Sequence, residues 1–150
     1  MAGGTAIRRC GRAGGFTLVE VLIVIAVVSI LAAIALPAYQ ETMRKGRRAD
    51  AKQALMDMAN RQERLMLDHG TYTVDLRDLG FSQQNSIESE KGFYSVAAAA
   101  CAADTIATCY VLTATPVDGR AQADDGRCTT LVLDSTGAKS ATGSAPGECW

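Results

Sequence analysis

Gly15-Phe16-Thr17-Leu18-Val19-Glu20 opens a stretch in which Val21 to Leu36 carries no charge, and Pro37-Ala38-Tyr39 closes it. With its flanks this run is long enough to cross a bilayer. Its Ile, Leu and Val residues together contribute about −3 to −6 kcal/mol to insertion. A carboxylate costs about 2.5–3.5 kcal/mol at mid-bilayer and less near an end, where Glu20 stands. Insertion therefore wins. Glu20 either snorkels to the interface or waits for a partner that brings the opposite charge.

An ordinary secretory signal competes for the same residues. Arg8, Arg9 and Arg12 could serve as its basic region and Ala33-Ile34-Ala35 as its cut. A carboxylate inside the apolar region and Pro37 just past the cut argue against it, and Arg8-Arg9 alone is a poor twin-arginine signal. The positive-inside rule is ambiguous, because Arg44, Lys45, Arg47, Arg48 and Lys52 crowd the far end of the run.

The chain has 150 residues and a formal net charge of −1, so no global field draws it to nucleic acid. Once the membrane run is set aside, its 48% hydrophobic content leaves a modest core that calls for added bracing. The cysteines point to where that bracing lies. Five are present; Cys10 precedes the apolar run, and Cys101, Cys109, Cys128 and Cys149 follow it. Loss of the leader would leave an even set in an oxidising compartment, outside the cytoplasm. Four cysteines allow three connectivities. Neighbour pairing, Cys101 with Cys109 and Cys128 with Cys149, is expected, each bond contributing about 3 kcal/mol by loop closure.

Beyond Tyr39, Ala51, Leu55, Met58, Gln62, Leu65 and Met66 recur at spacings of three and four, the stripe of a helix packed on a sheet. Gly70 is its expected terminator. Pro37 and Gly46 are weak points, with a bend or local melting expected at the proline. The basic cluster Arg44/Lys45/Arg47/Arg48 reads as a face for lipid headgroups or for acids of neighbouring subunits, with DNA the lesser candidate. Strands are expected over Phe93–Ala98, Thr108–Thr115 and Cys128–Leu133, and Asp134-Ser135-Thr136-Gly137 as a turn into a short fourth strand through Lys139. The fold class is α+β.

Gly15-Phe16-Thr17-Leu18-Val19-Glu20, the apolar run and Ala35-Leu36-Pro37-Ala38-Tyr39 together closely resemble the class III signal of type IV pilins. The resemblance implies a leader of residues 1–15, cut by prepilin peptidase between Gly15 and Phe16, with Phe16 then N-methylated. It implies that Glu20 meets the N-terminal ammonium of a neighbouring subunit during assembly, and that the helix near Pro37 loosens in the filament. The implied organisation is a transmembrane half-helix over 16–39, an amphipathic half over 40–69, an αβ-loop over 70–91 and a disulfide-tied antiparallel sheet over 92–150. Tyr72, Leu76, Leu79 and Phe81 would anchor the αβ-loop. The tail from Asp124 to Cys149-Trp150 resembles the E-type (PilE) minor pilins.

The family's implied partners are other pilin subunits, the peptidase, the inner membrane and the pilus assembly platform, with the globular part periplasmic and then at the cell surface. A minor pilin for assembly, twitching motility and adhesion is the leading expectation. A DNA-receptor pilin for natural transformation comes next, then a type II secretion pseudopilin. A DNA receptor needs a basic stripe, yet beyond Gly70 only Arg77, Lys91, Arg120, Arg127 and Lys139 are basic. No cofactor or metal is expected: there is no CxxC pair, His69 is the only histidine, and Asp118, Asp124 and Asp125 read as turn residues more readily than as a calcium loop. A hydrolase would have to be built around His69 alone.

Overall fold

The computed structural model describes residues 15–150. Arg8, Arg9, Cys10 and Arg12, and with them the leader up to its last glycine, lie outside the described residues. The helix α1 runs from Leu18 to His69, and its assignment continues through Pro37. Five strands follow: β1 Ile87–Glu88, β2 Tyr94–Ala100, β3 Tyr110–Pro116, β4 Thr130–Asp134 and β5 Lys139–Thr142. They form one antiparallel sheet in sequence order, an α+β architecture. The chain divides into two compact units, one ending at Tyr39 and the other spanning Gln40–Trp150.

In the first unit the helix is long and apolar enough to cross a membrane, and the most apolar window buries nothing within the protein. Its large side chains stand outward; Leu22, Ile25, Val28 and Leu31 are all more than half exposed. Thr17 starts the helix by accepting the Glu20 N–H on its hydroxyl at 3.2 Å, half of a capping box.

In the second unit the helix face Ala51, Leu55, Met58 and Gln62 is buried, as the sequence stripe predicts. Leu65 and Met66 are only partly covered. Tyr94, Val96, Leu112, Ala114, Leu131 and Leu133 meet that face from the sheet, alternating with outward residues as a one-sided sheet requires. Gln62 is polar but belongs there: its side-chain amide donates to the Thr73 carbonyl at 2.6 Å and accepts from the Thr73 N–H at 3.1 Å. It thereby pairs the loop backbone that a strand would otherwise have to satisfy.

The αβ-loop is less bare than the sequence suggests. Leu76 and Leu79 are buried, Tyr72 and Phe81 pack against the core, and β1 pairs Ile87 with Val96. The expected strands shift by one to two residues at their starts, where Phe93, Thr108 and Cys128 serve as connections instead. The Asp134–Gly137 turn forms as read: Asp134 accepts the N–H groups of Thr136 and Ala138, and Gly137 takes φ 82°.

Candidate functional site

Two regions hold the chemistry. The first is the head of the apolar helix. Gly15, Phe16 and Thr17 precede the helix without regular structure, and Phe16 is 81% exposed, so the proposed scissile bond is accessible on its far side. Phe16, Glu20, Val21, Val24 and Ile25 line a shallow groove. The carboxylate of Glu20 has no hydrogen bond or ion pair among the described residues; only its backbone N–H is used, by Thr17. A carboxylate held free in an apolar groove is suited to a cation brought by another chain.

The second region is the helix-to-sheet side of the Gln40–Trp150 unit. Arg48 is buried there, not spread on a basic face. Its guanidinium makes a two-pronged contact with Asp125, Nε to Oδ2 at 2.7 Å and Nη2 to Oδ1 at 2.8 Å. Gln122 donates its amide to Asp125 at 2.7 Å and to the Tyr94 hydroxyl at 2.9 Å. Glu41 adds a longer contact to Arg48 at 3.6 Å. The hydrogen bond to Asp125 raises the Arg48 pKa against the opposing effect of burial. Burial pushes the Asp125 carboxyl up, but the Arg48 hydrogen bond and charge outweigh it and hold the group below its ordinary range. Burial also pushes the Tyr94 hydroxyl up to about 12.

This network corrects two sequence expectations. Arg48 is unavailable to lipid or to a neighbouring subunit, because leaving either partner unpaired inside the protein would cost several kcal/mol. Arg47 is likewise engaged, lying 4.9 Å over the Phe93 ring and donating to the Ala121 carbonyl. Asp125 cannot join Asp118 and Asp124 in a calcium loop while both its oxygens are taken. Among the described residues no group of three or more His, Cys, Asp or Glu is placed to hold a metal. The partnership was invisible in sequence because 77 residues separate its members and Asp125-Gly126 reads locally as a turn.

The remaining charges sort into two kinds. Arg77 pairs with Asp75 at 2.6 Å, Arg120 with Glu88 at 3.2 Å, and Arg127 with Glu148. Lys91 is exposed, its backbone N–H bound to Asp50. Lys139 and Lys52 instead face the Trp150 ring, their ammonium groups 5.2 and 6.0 Å from its centroid. Such contacts are worth about 0.5–1 kcal/mol each at exposed sites. Burial, then the charges of Arg48 and Lys139, lower the Lys52 pKa. His69 is exposed at the helix end and has no hydrogen bond among the described residues.

The structure joins Cys101 to Cys109 across the β2–β3 connection and Cys128 to Cys149 across the tail, with Cα separations of 5.6 and 5.7 Å. The second bond sits beside Trp150, which the sequence reading noted only as a family mark.

Comparison with known proteins agrees with both regions. Residues 10–36 match the prokaryotic N-terminal methylation motif. The type IV major pilin protein PilE of Neisseria gonorrhoeae is 37% identical over 76 residues, 51% of this chain and 46% of that protein. Prepilin peptidase-dependent protein D of Escherichia coli is 41% identical over 56 residues, 37% of this chain and 38% of that protein. Fimbrial protein EcpB of Eikenella corrodens is 41% identical over 71 residues, 47% and 45% respectively. The chain thus spans less than half the length of these relatives, which are structural pilins. The class III signal, the apolar helix and these relatives fit a membrane-anchored precursor and a surface pilus. Residues 37–132, well over half the chain, match the model described as type IV minor pilin ComP, DNA uptake sequence receptor, and the chain belongs to that type IV pilin family.

Proposed function

We propose that this chain is a minor subunit of a type IV pilus that takes part in the uptake of DNA. The observation that carries the proposal is the match of residues 37–132 to a family described as a DNA uptake sequence receptor. In this reading prepilin peptidase cuts between Gly15 and Phe16, Phe16 is methylated, and the helix waits in the inner membrane. The assembly platform then moves it into the filament, where Glu20 meets a neighbour's N-terminal ammonium and the segment near Pro37 supplies slack. The unpaired Glu20 carboxylate at the groove supports that role. The Gln40–Trp150 unit would face DNA at the surface, its lysines exchanging counterions for phosphates.

A second reading, a minor pilin for assembly, twitching motility and adhesion, is favoured by one specific observation. Arg77, Arg120 and Arg127 are each paired with an acid, which leaves no broad basic stripe. A deletion strain of the source bacterium separates the two. The DNA reading expects transformation to fall at least a hundredfold with pilus number and twitching unchanged. Loss of pili together with twitching, with residual transformation tracking pilus number, would instead establish the second reading. Mass spectrometry of the mature protein should find methylated Phe16 first; any other N-terminus refutes the processing scheme.

A further inference from the structure

We propose that Lys52, Lys139 and Trp150 form a preorganised clamp for the phosphodiester groups of duplex DNA. This rests on the DNA-uptake reading above and assigns it a place on the molecule.

Three separate elements converge there. Lys52 comes from α1 and is half-buried. Lys139 opens β5, the edge strand of the sheet, and its ladder partner is Leu133, whose side chain is turned into the core against the helix. Lys139 therefore projects from the helix side of the sheet edge, toward Lys52. Trp150 lies between them, its Nε1–H donating to the Ser140 carbonyl at 2.7 Å. The Cys128–Cys149 bond anchors the residue just before it. The ring is thus fixed twice, and it fixes the two ammonium groups in turn.

What makes the cluster unusual is its missing counter-charge. Arg48, Arg61, Arg77, Arg120 and Arg127 each have a carboxylate at ion-pair distance. Lys52 and Lys139 have none among the described residues; they share an indole and repel one another. Burial and the neighbouring cations lower the Lys52 pKa, which is the mark of positive charge gathered without an anion. A structural salt bridge would have placed an acid here. An incoming phosphodiester supplies the missing charge, and because the indole has already restricted both long side chains, less freedom is lost on binding. The ring is flanked by the ammonium groups, so Trp150 acts as a positioning residue and the lysines make the contacts.

The full chain in zwitterionic detergent, titrated with a duplex oligonucleotide at several salt concentrations, tests this directly. Trp150 is the only tryptophan, so its fluorescence reports on this site alone. Binding is expected to change that fluorescence. Each phosphate contact on B-DNA contributes about 0.9 to the slope of log affinity against log salt. Lys52→Ala and Lys139→Ala should therefore each flatten the slope by about one, Lys52→Arg and Lys139→Arg should restore it, and Trp150→Phe should keep more of it than Trp150→Ala. Arg77→Ala, which removes a cation already paired with Asp75, should leave the slope unchanged. Near-ultraviolet circular dichroism checks that each variant is folded. DNA binding with a slope indifferent to Lys52, Lys139 and Trp150 would overturn the clamp and leave the DNA reading standing. Absence of DNA binding by the wild-type chain at low salt would overturn both. Lysine-dependent binding to phosphatidylglycerol vesicles without DNA binding would overturn the assignment in favour of lipid.

Discussion

Replacing Arg48 by methionine should destabilise the Gln40–Trp150 unit more than any surface change. The side chains of Arg48 and Asp125 are 2% and 0% exposed, and two short hydrogen bonds join them. Removing the guanidinium leaves a carboxylate inside the protein with only the Gln122 amide and backbone N–H groups to hold it. Breaking one side of such a pair costs about 3–5 kcal/mol. At about 4 °C per kcal/mol for a domain near this size, Tm should fall by at least ~12 °C. Removing both charges should behave differently. Arg48→Met with Asp125→Leu replaces the pair by apolar groups, Gln122 and Tyr94 still bond each other, and most of the loss should be recovered. Urea denaturation of the full chain in detergent, followed by Trp150 fluorescence with disulfides intact, gives the three free energies needed for a double-mutant cycle. A single-variant loss under 1 kcal/mol, or a coupling energy near zero, would refute the buried-pair account.

Three more tests follow from the same unit. Asp125 is held below the ordinary carboxylate range, so its contribution is complete above that range and fades as pH falls through the depressed folded value; Asp125→Asn should remove that part of the acid limb in pH-dependent denaturation, and an unchanged limb would contradict it. Gly143 has φ 128°, and a Cβ there would meet the Arg127 carbonyl oxygen and the Cys128 backbone, so Gly143→Ala should cost roughly 1–3 kcal/mol and show as a lowered urea midpoint. Opening the Cys128–Cys149 bond by Cys128→Ser with Cys149→Ser should lose about 3 kcal/mol, with the Trp150 emission shifting as its anchor goes; an unchanged midpoint would show the tail to be held by other contacts.

The features that could be read ahead were those written in local pattern. The Ala51–Gln62 stripe, the three long strands and the Asp134–Gly137 turn each declare themselves within a dozen residues. β1 did not, because two residues carry no period and Ile87 gains its meaning only opposite Val96. Arg48 sat in a run of four basic residues, where a solvated face is the ordinary reading. Nothing near it signals that Asp125 completes it across the core. Trp150 was legible as a mark of kinship, but its physical setting depends on Lys52 and Lys139 arriving from two other elements. The carboxylate of Glu20 was the reverse case: sequence singled it out, and the groove around it shows why it stays unspent within one chain.

The outward apolar side chains of the first unit have a consequence for the direction of assembly. In water they would drive aggregation, but the subunit is offered only two surroundings, lipid tails and the flanks of sister helices. Both are oily, and lipid is about as apolar as leucine, so passing from one to the other releases little hydrophobic free energy. Leaving the bilayer is then close to an exchange between two similar solvents. What tips it must be local and directional: close packing, one carboxylate finding its ammonium, and mechanical work from outside. An anchor of this kind can be drawn into a fibre and given back to the membrane without crossing a large energetic step in either direction.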